Sequence, residues 1–127
     1  MTTIYFVRHA HSIYTPDELK RPLSKQGLCD ADRLTKMLTN KEIDLVIASP
    51  YKRAIQTVEG IARANGKEVM INQAFRERLL SSEPVDDFHQ AISKVWSNPA
   101  FVWPGGESNI DAQRRGEHAT LEVLKQY

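Results

Sequence analysis

The chain has 127 residues, with 17 Lys and Arg against 16 Asp and Glu, a formal net charge of +1, and 41% hydrophobic residues. That balance supplies no long-range field to gather nucleic acid or an anionic membrane surface, and the length suits one domain able to bury a core without disulfide or metal staples. No apolar run approaches the roughly 18 residues of a membrane span, the N-terminus lacks the pattern of a signal peptide, and the single cysteine, Cys29, has no thiol partner, so a reducing cytoplasm is the expected compartment.

Thr3 to Val7 is β-branched and aromatic and stops at Arg8-His9, which predicts a short buried strand followed by a polar segment through Arg21. From Ser24, a candidate N-cap, Leu28, Ala31, Leu34 and Leu38 recur at helical spacing, and Asn40 closes that helix. Asp44 to Ala48 is a second apolar run of strand length. SPYKRAIQT then opens a helix whose Ala54, Ile55, Val58, Ile61 and Ala62 share a face and whose end is marked by Asn65-Gly66. Glu68 to Ile71 is a third short strand. Further on, Asp86 to Trp96 is expected to be helical, Asn98 to Gly106 a loop, and Glu107 to Lys125 a helix with Ser108 or Glu107 near its start.

Alternating continuously apolar strands and amphipathic helices predict an α/β fold, a three-layer helix/sheet/helix arrangement with a mostly parallel sheet, in a single domain spanning residues 1–127. The pattern ends on a helix where a parallel sheet would ordinarily receive another strand. Either the sheet stops at three strands or the polypeptide continues past Tyr127.

Ligands in open α/β sheets bind beyond the carboxyl ends of the strands. Two predicted strands deliver chemistry there: the first ends in Arg8-His9-Ala10-His11-Ser12, and the second in Ala48-Ser49-Pro50 with Arg53 a helical turn later. Guanidinium forks match phosphate oxygens and stay charged. An imidazole between two of them can attack phosphorus while the cations neutralise the equatorial oxygens, and a helix starting near Tyr51 would aim its positive end at the same anion. Taken singly, the Arg-His pair also suits a solvated loop, and SPYKRAIQT an ordinary amphipathic helix.

In combination these segments resemble the histidine phosphatase superfamily, which includes the cofactor-dependent phosphoglycerate mutases and many small phosphatases. IYFVRHAHS resembles the family's strand and Arg-His-Gly, with Ala10 in place of the usual Gly and His11 in place of a common Glu or Gln. RPLSKQG resembles its Pro-Leu-Ser/Thr helix start, SPYKRAIQT its Ser-Pro, Arg-Ala, Gln-Thr element, FRERLLS its Leu-x-Glu segment, and PGGES the turn before a late helix. The resemblance implies a phosphoglycerate mutase-like fold, with His9 as the nucleophile that becomes phosphohistidine and Arg8 and Arg53 as clamps on the phosphoryl oxygens. It also implies that Glu77 acts as the general acid and then the general base; on the residues alone, a surface ion pair with Arg76 or Arg78 is the favoured reading. His11 could touch substrate or line the mouth, and Ser12 could bond phosphate or its own backbone.

His89 and His118 lie in polar helical contexts without a second ligand at metal-site spacing and are expected on the surface. Trp96 and Trp103 are expected as core or loop anchors. No metal and no cofactor is expected. The family's second histidine, carried by a Val-x-His-Gly strand, has no counterpart up to Tyr127, and this supports the expectation of a longer polypeptide. The leading expectation is a cytoplasmic hydrolase of small-molecule phosphomonoesters, without nucleic-acid or membrane partners and with no oligomeric state indicated. The rivals are a mutase-type phosphoryl transferase and a noncatalytic phosphate-binding module. The short stretch between His11 and Ser24 favours hydrolysis, and residues that read the leaving group are expected between Ser82 and Pro104.

Overall fold

A computed structural model describes residues 1–83 and 85–127. The chain divides into two compact units, Met1–Arg76 and Glu77–Tyr127.

The first unit is built on a parallel pair of short strands and two helices. Ser24, in extended backbone, accepts a hydrogen bond from Gly27 N at 3.0 Å and starts α1, Lys25–Leu38. Its buried face carries Gly27 and Ala31 and continues into Leu34 and Leu38. Leu28, expected on that face, is 49% exposed, while its neighbour Gly27 takes the buried position. Strand β1, Val46–Ala48, pairs in parallel with β2, Val69–Ile71, in the register Val46 with Val69 and Ala48 with Ile71. Between them runs α2, Lys52–Ala64, which packs on α1 and on both strands. Its buried stripe, Arg53, Thr57, Ile61 and Ala62, follows the i, i+4 spacing of one helical face, polar at the start and apolar at the end. The apolar end joins Val46 in a core flanked by Leu34, Leu38, Ile43, Val58 and Val69.

The end of α2 follows the expected cap. Gly66 takes φ +64°, a conformation costly for residues with a Cβ. Lys67 N bonds back to Ala62 O at 2.8 Å, and Asn65 Oδ1 accepts from Ile43 N at 3.1 Å, tying the helix end to the chain that feeds β1.

One element departs from expectation. Thr3–Val7 is not a strand of the sheet: it makes no backbone ladder to β1 or β2 among the described residues, and Ile4, Tyr5, Phe6 and Val7 are exposed rather than buried. Its composition favours a pleated conformation, but a strand exists only against a partner edge. The one ladder of this sheet joins β1 to β2. The chain after it is fixed differently, by an antiparallel bridge between Ser12 and Leu23.

The second unit holds α3, Phe88–Ser97, and α4, Asn109–Gln126. Asp87 caps α3 through Gln90 N, and Ser108 caps α4 through Asp111 N. Ala91 and Val95 are fully buried, and Trp96, one residue on, is 70% exposed, so it anchors neither core nor loop. Trp103 is an anchor: its indole Nε1 donates to Ala91 O at 3.2 Å and its ring meets Phe101 edge-on. The Pro104-Gly105-Gly106 turn lies against residues 79–82. A Cβ on Gly106 would strike the Leu80 carbonyl, and Glu107 N donates to Leu79 O at 2.8 Å. The Glu107 carboxylate meets the Arg115 guanidinium side by side at 2.9 and 2.6 Å. Among the described residues no helix is long and apolar enough to cross a membrane.

Candidate functional site

The segment Arg8–Ser12 leaves the N-terminal apolar stretch and is tied to the two helices of the first unit by hydrogen bonds that its own sequence does not announce. Ala10 N donates to Thr57 Oγ1 at 3.0 Å, and the same hydroxyl donates to Arg53 O at 2.7 Å. One hydroxyl on α2 therefore joins the peptide immediately after His9 to the residue expected to clamp phosphate. Thr57 is 2% exposed, so both bonds are shielded from water. On the other side, Ser24 N donates to His11 O at 2.9 Å, and Gly27 approaches that carbonyl so closely that a Cβ would overlap it. Leu23 N donates to Gln56 Oε1 at 2.8 Å. The Gln-Thr pair of SPYKRAIQT and the Gly of RPLSKQG thus serve as fasteners for the His9 segment.

His9 is partly buried, and its Nδ1 lies 2.8 Å from Ala10 O. A carbonyl oxygen can only accept, so Nδ1 carries a proton, and the neutral form of the ring has its lone pair on Nε2. Arg8 is exposed and, with Phe6, Ala31, Leu34, Met37 and Thr57, borders an open groove of ≈ 420 Å³. His11 is exposed, with its Nδ1 2.7 Å from Ser24 Oγ, so it braces the start of α1. Ser12 is 8% exposed and supplies the backbone bridge to Leu23.

Arg53 is 3% exposed, an unusual depth for a guanidinium. Its Nη1 donates to Glu18 O at 2.9 Å and to Glu18 Oε2 at 3.3 Å, and its plane lies over the Tyr51 ring, 4.3 Å from the centroid. At the N-terminus of α2, Lys52 N donates to Leu19 O at 3.0 Å, so the first amide of the helix is satisfied by the chain.

Glu77 opens the second unit, exposed, just after the 3-10 turn Gln73–Phe75 and two residues before the Leu79 carbonyl held by Glu107 N. His89 and His118 are exposed, as expected, and among the described residues no group of His, Cys, Asp and Glu could hold a metal ion. Sequence reasoning missed Glu18 and the fastening roles of Gln56 and Thr57. The Gln-Thr pair was visible as a motif, but its partners lie 33 and 47 positions away.

Residues 4–127 match the family model of the histidine phosphatase superfamily (branch 1). Phosphoserine phosphatase 1 of Hydrogenobacter thermophilus is 27% identical over 140 residues, an alignment covering 100% of this chain and 66% of that protein. A mycobacterial glucosyl-3-phosphoglycerate phosphatase superposes with a TM-score of 0.79 at 21% identity, covering 93% of this chain and 61% of that one. The alpha-ribazole phosphatase of Shigella flexneri gives 0.74 at 19% identity, covering 94% and 66%. The fold is thus shared with these phosphatases, and the chain spans less than two thirds of the length of the relatives it matches.

Proposed function

The chain belongs to the histidine phosphatase superfamily, and on that footing we propose that it serves a phosphomonoester hydrolase working through a phosphohistidine on His9. The observation that carries this reading is the Nδ1–H bond from His9 to Ala10 O, which leaves Nε2 as the one ring atom with a lone pair for phosphorus. Arg8 and Arg53 hold the phosphoryl oxygens and offset the charge that gathers on them in the transition state. Nε2 attacks, a P–N bond forms as the bond from phosphorus to the ester oxygen breaks, and Glu77 gives its proton to the departing oxygen. In the second half Glu77 takes a proton from water, the water oxygen bonds to phosphorus, and the P–N bond breaks to release inorganic phosphate and restore His9.

Relatives named as phosphatases support hydrolysis over transfer between two phosphate esters. The substrate is a small-molecule phosphomonoester, and a single cysteine, Cys29, with no thiol partner in the chain suits work in a reducing cytoplasm. The family match runs across both compact units, which supports reading residues 1–127 as belonging to one catalytic domain.

The test is hydrolysis of p-nitrophenyl phosphate in the presence of EDTA by the native chain and by His9→Ala. Chelator-resistant turnover that falls to background in His9→Ala is expected. Turnover undiminished in His9→Ala would refute the nucleophile, and loss with EDTA that Mg²⁺ or Zn²⁺ restores would refute the mechanism.

A further inference from the structure

We propose that the Glu18 carboxylate is a built-in counter-anion to Arg53 that sets how tightly the site holds phosphate. The proposal rests on the reading of Arg53 as a phosphate ligand. Glu18 reaches Arg53 twice through the same nitrogen, by its main-chain carbonyl at 2.9 Å and by its carboxylate at 3.3 Å. These two contacts have different consequences. The carbonyl satisfies and aims a guanidinium that is 3% exposed, without adding net charge. The carboxylate adds a full negative charge beside the cation that phosphate would use, and so lowers the attraction left for a dianion.

The segment that presents Glu18 is held in place independently of its carboxylate. Asp17 Oδ1 accepts from Leu19 N at 3.1 Å, Thr15 Oγ1 donates to Asp17 O at 3.0 Å, and Leu19 O accepts from Lys52 N at 3.0 Å. At its base Ile13 N donates to Pro22 O at 2.9 Å, next to the Ser12–Leu23 bridge. The turn therefore stays docked on α2 whatever the state of the Glu18 side chain. That side chain is 52% exposed and shared with Arg21 Nη1 at 3.4 Å, so it is a half-solvated group able to yield to an incoming anion. The carbonyl positions Arg53, and the carboxylate tunes it: a bound phosphate must compete with Glu18, and the carboxylate in turn speeds departure of product phosphate.

The experiment measures binding of inorganic phosphate to the purified native chain by calorimetry, alongside Glu18→Gln, Glu18→Ala and Arg53→Met, with thermal unfolding of each as a control on folding. Both Glu18 variants keep the carbonyl and lose the charge, and each should bind phosphate about 3- to 10-fold more tightly, a gain reduced by added salt. Loss of a merely structural group would move affinity the other way. Unchanged or weaker binding in folded Glu18→Gln and Glu18→Ala, with Arg53→Met binding still less, overturns the counter-anion while leaving Arg53 as the phosphate ligand. Phosphate binding undiminished in folded Arg53→Met overturns the reading of Arg53, and the proposal with it.

Discussion

Thr57 acts beyond its own helix, and Glu77 is the proposed proton donor to the leaving group. The Thr57 hydroxyl accepts from Ala10 N and donates to Arg53 O in a site it does not otherwise enter. Thr57→Val keeps the shape and strands Ala10 N, while Arg53 O keeps its place in the helical ladder, so it should cost about 1–3 kcal/mol in denaturant unfolding, with Thr57→Ser recovering most of the loss. Equal stability of the Val variant and the native chain would show that Ala10 N finds another partner. Glu77 is tested by the leaving group. Glu77→Gln should slow the first step for an alkyl phosphate by roughly 10²- to 10⁴-fold, because a strongly basic oxygen needs a proton, and should slow it much less for a nitrophenyl ester. Rapid-mixing bursts isolate that step, and equal losses for both esters would return Glu77 to a surface ion-pairing role.

Among the elements, α1 depends on one close approach. Gly27 lets its first turn meet the His11 carbonyl, and an added methyl would collide with backbone that the Ser24 bonds already fix. Gly27→Ala should therefore destabilise the protein by about 1–3 kcal/mol despite alanine's better helix propensity, and differential scanning calorimetry should show a lowered midpoint. A raised midpoint would mean that α1 can slide away from His11. The helices were legible because their signals are local: the Ser24 and Ser108 caps, the Gly66 stop and the 3.6-residue period lie within each segment. Thr3–Val7 was misread for the opposite reason. Its residues suit a strand, but pairing is decided by an edge elsewhere in the fold. Trp96 misled in the same way, since its neighbour Val95 takes the buried position and turns the indole outward.

Across the whole molecule, the distribution of backbone hydrogen bonds predicts where the native state is loose. Tyr5 to Val7 lie outside the β1–β2 ladder and are exposed, so their amides should exchange with deuterium orders of magnitude faster than those inside α2 around Ile61, which is 4% exposed. Protection at Tyr5 to Val7 equal to that of α2 would reveal a partner strand in solution. The candidate site was legible in its residue types and not in its wiring. His9, Arg8, Arg53 and Glu77 stand out because imidazole, guanidinium and carboxylate are the groups phosphoryl transfer requires. Glu18 does not stand out, because only folding brings its turn onto α2, 35 positions along the chain.

In the proposed mechanism His9 Nε2 becomes covalently phosphorylated. The most direct measurement is rapid quenching of the protein with ³²P-labelled p-nitrophenyl phosphate, followed by peptide mapping of the labelled site under alkaline conditions, where phosphohistidine survives. An acid-labile, alkali-stable label on the peptide containing His9, attached through Nε2 and absent from His9→Ala, is the expected result. A label on any other residue, or steady turnover with no trapped phosphoprotein at any quench time and undiminished by His9→Ala, would rule out His9 as the nucleophile.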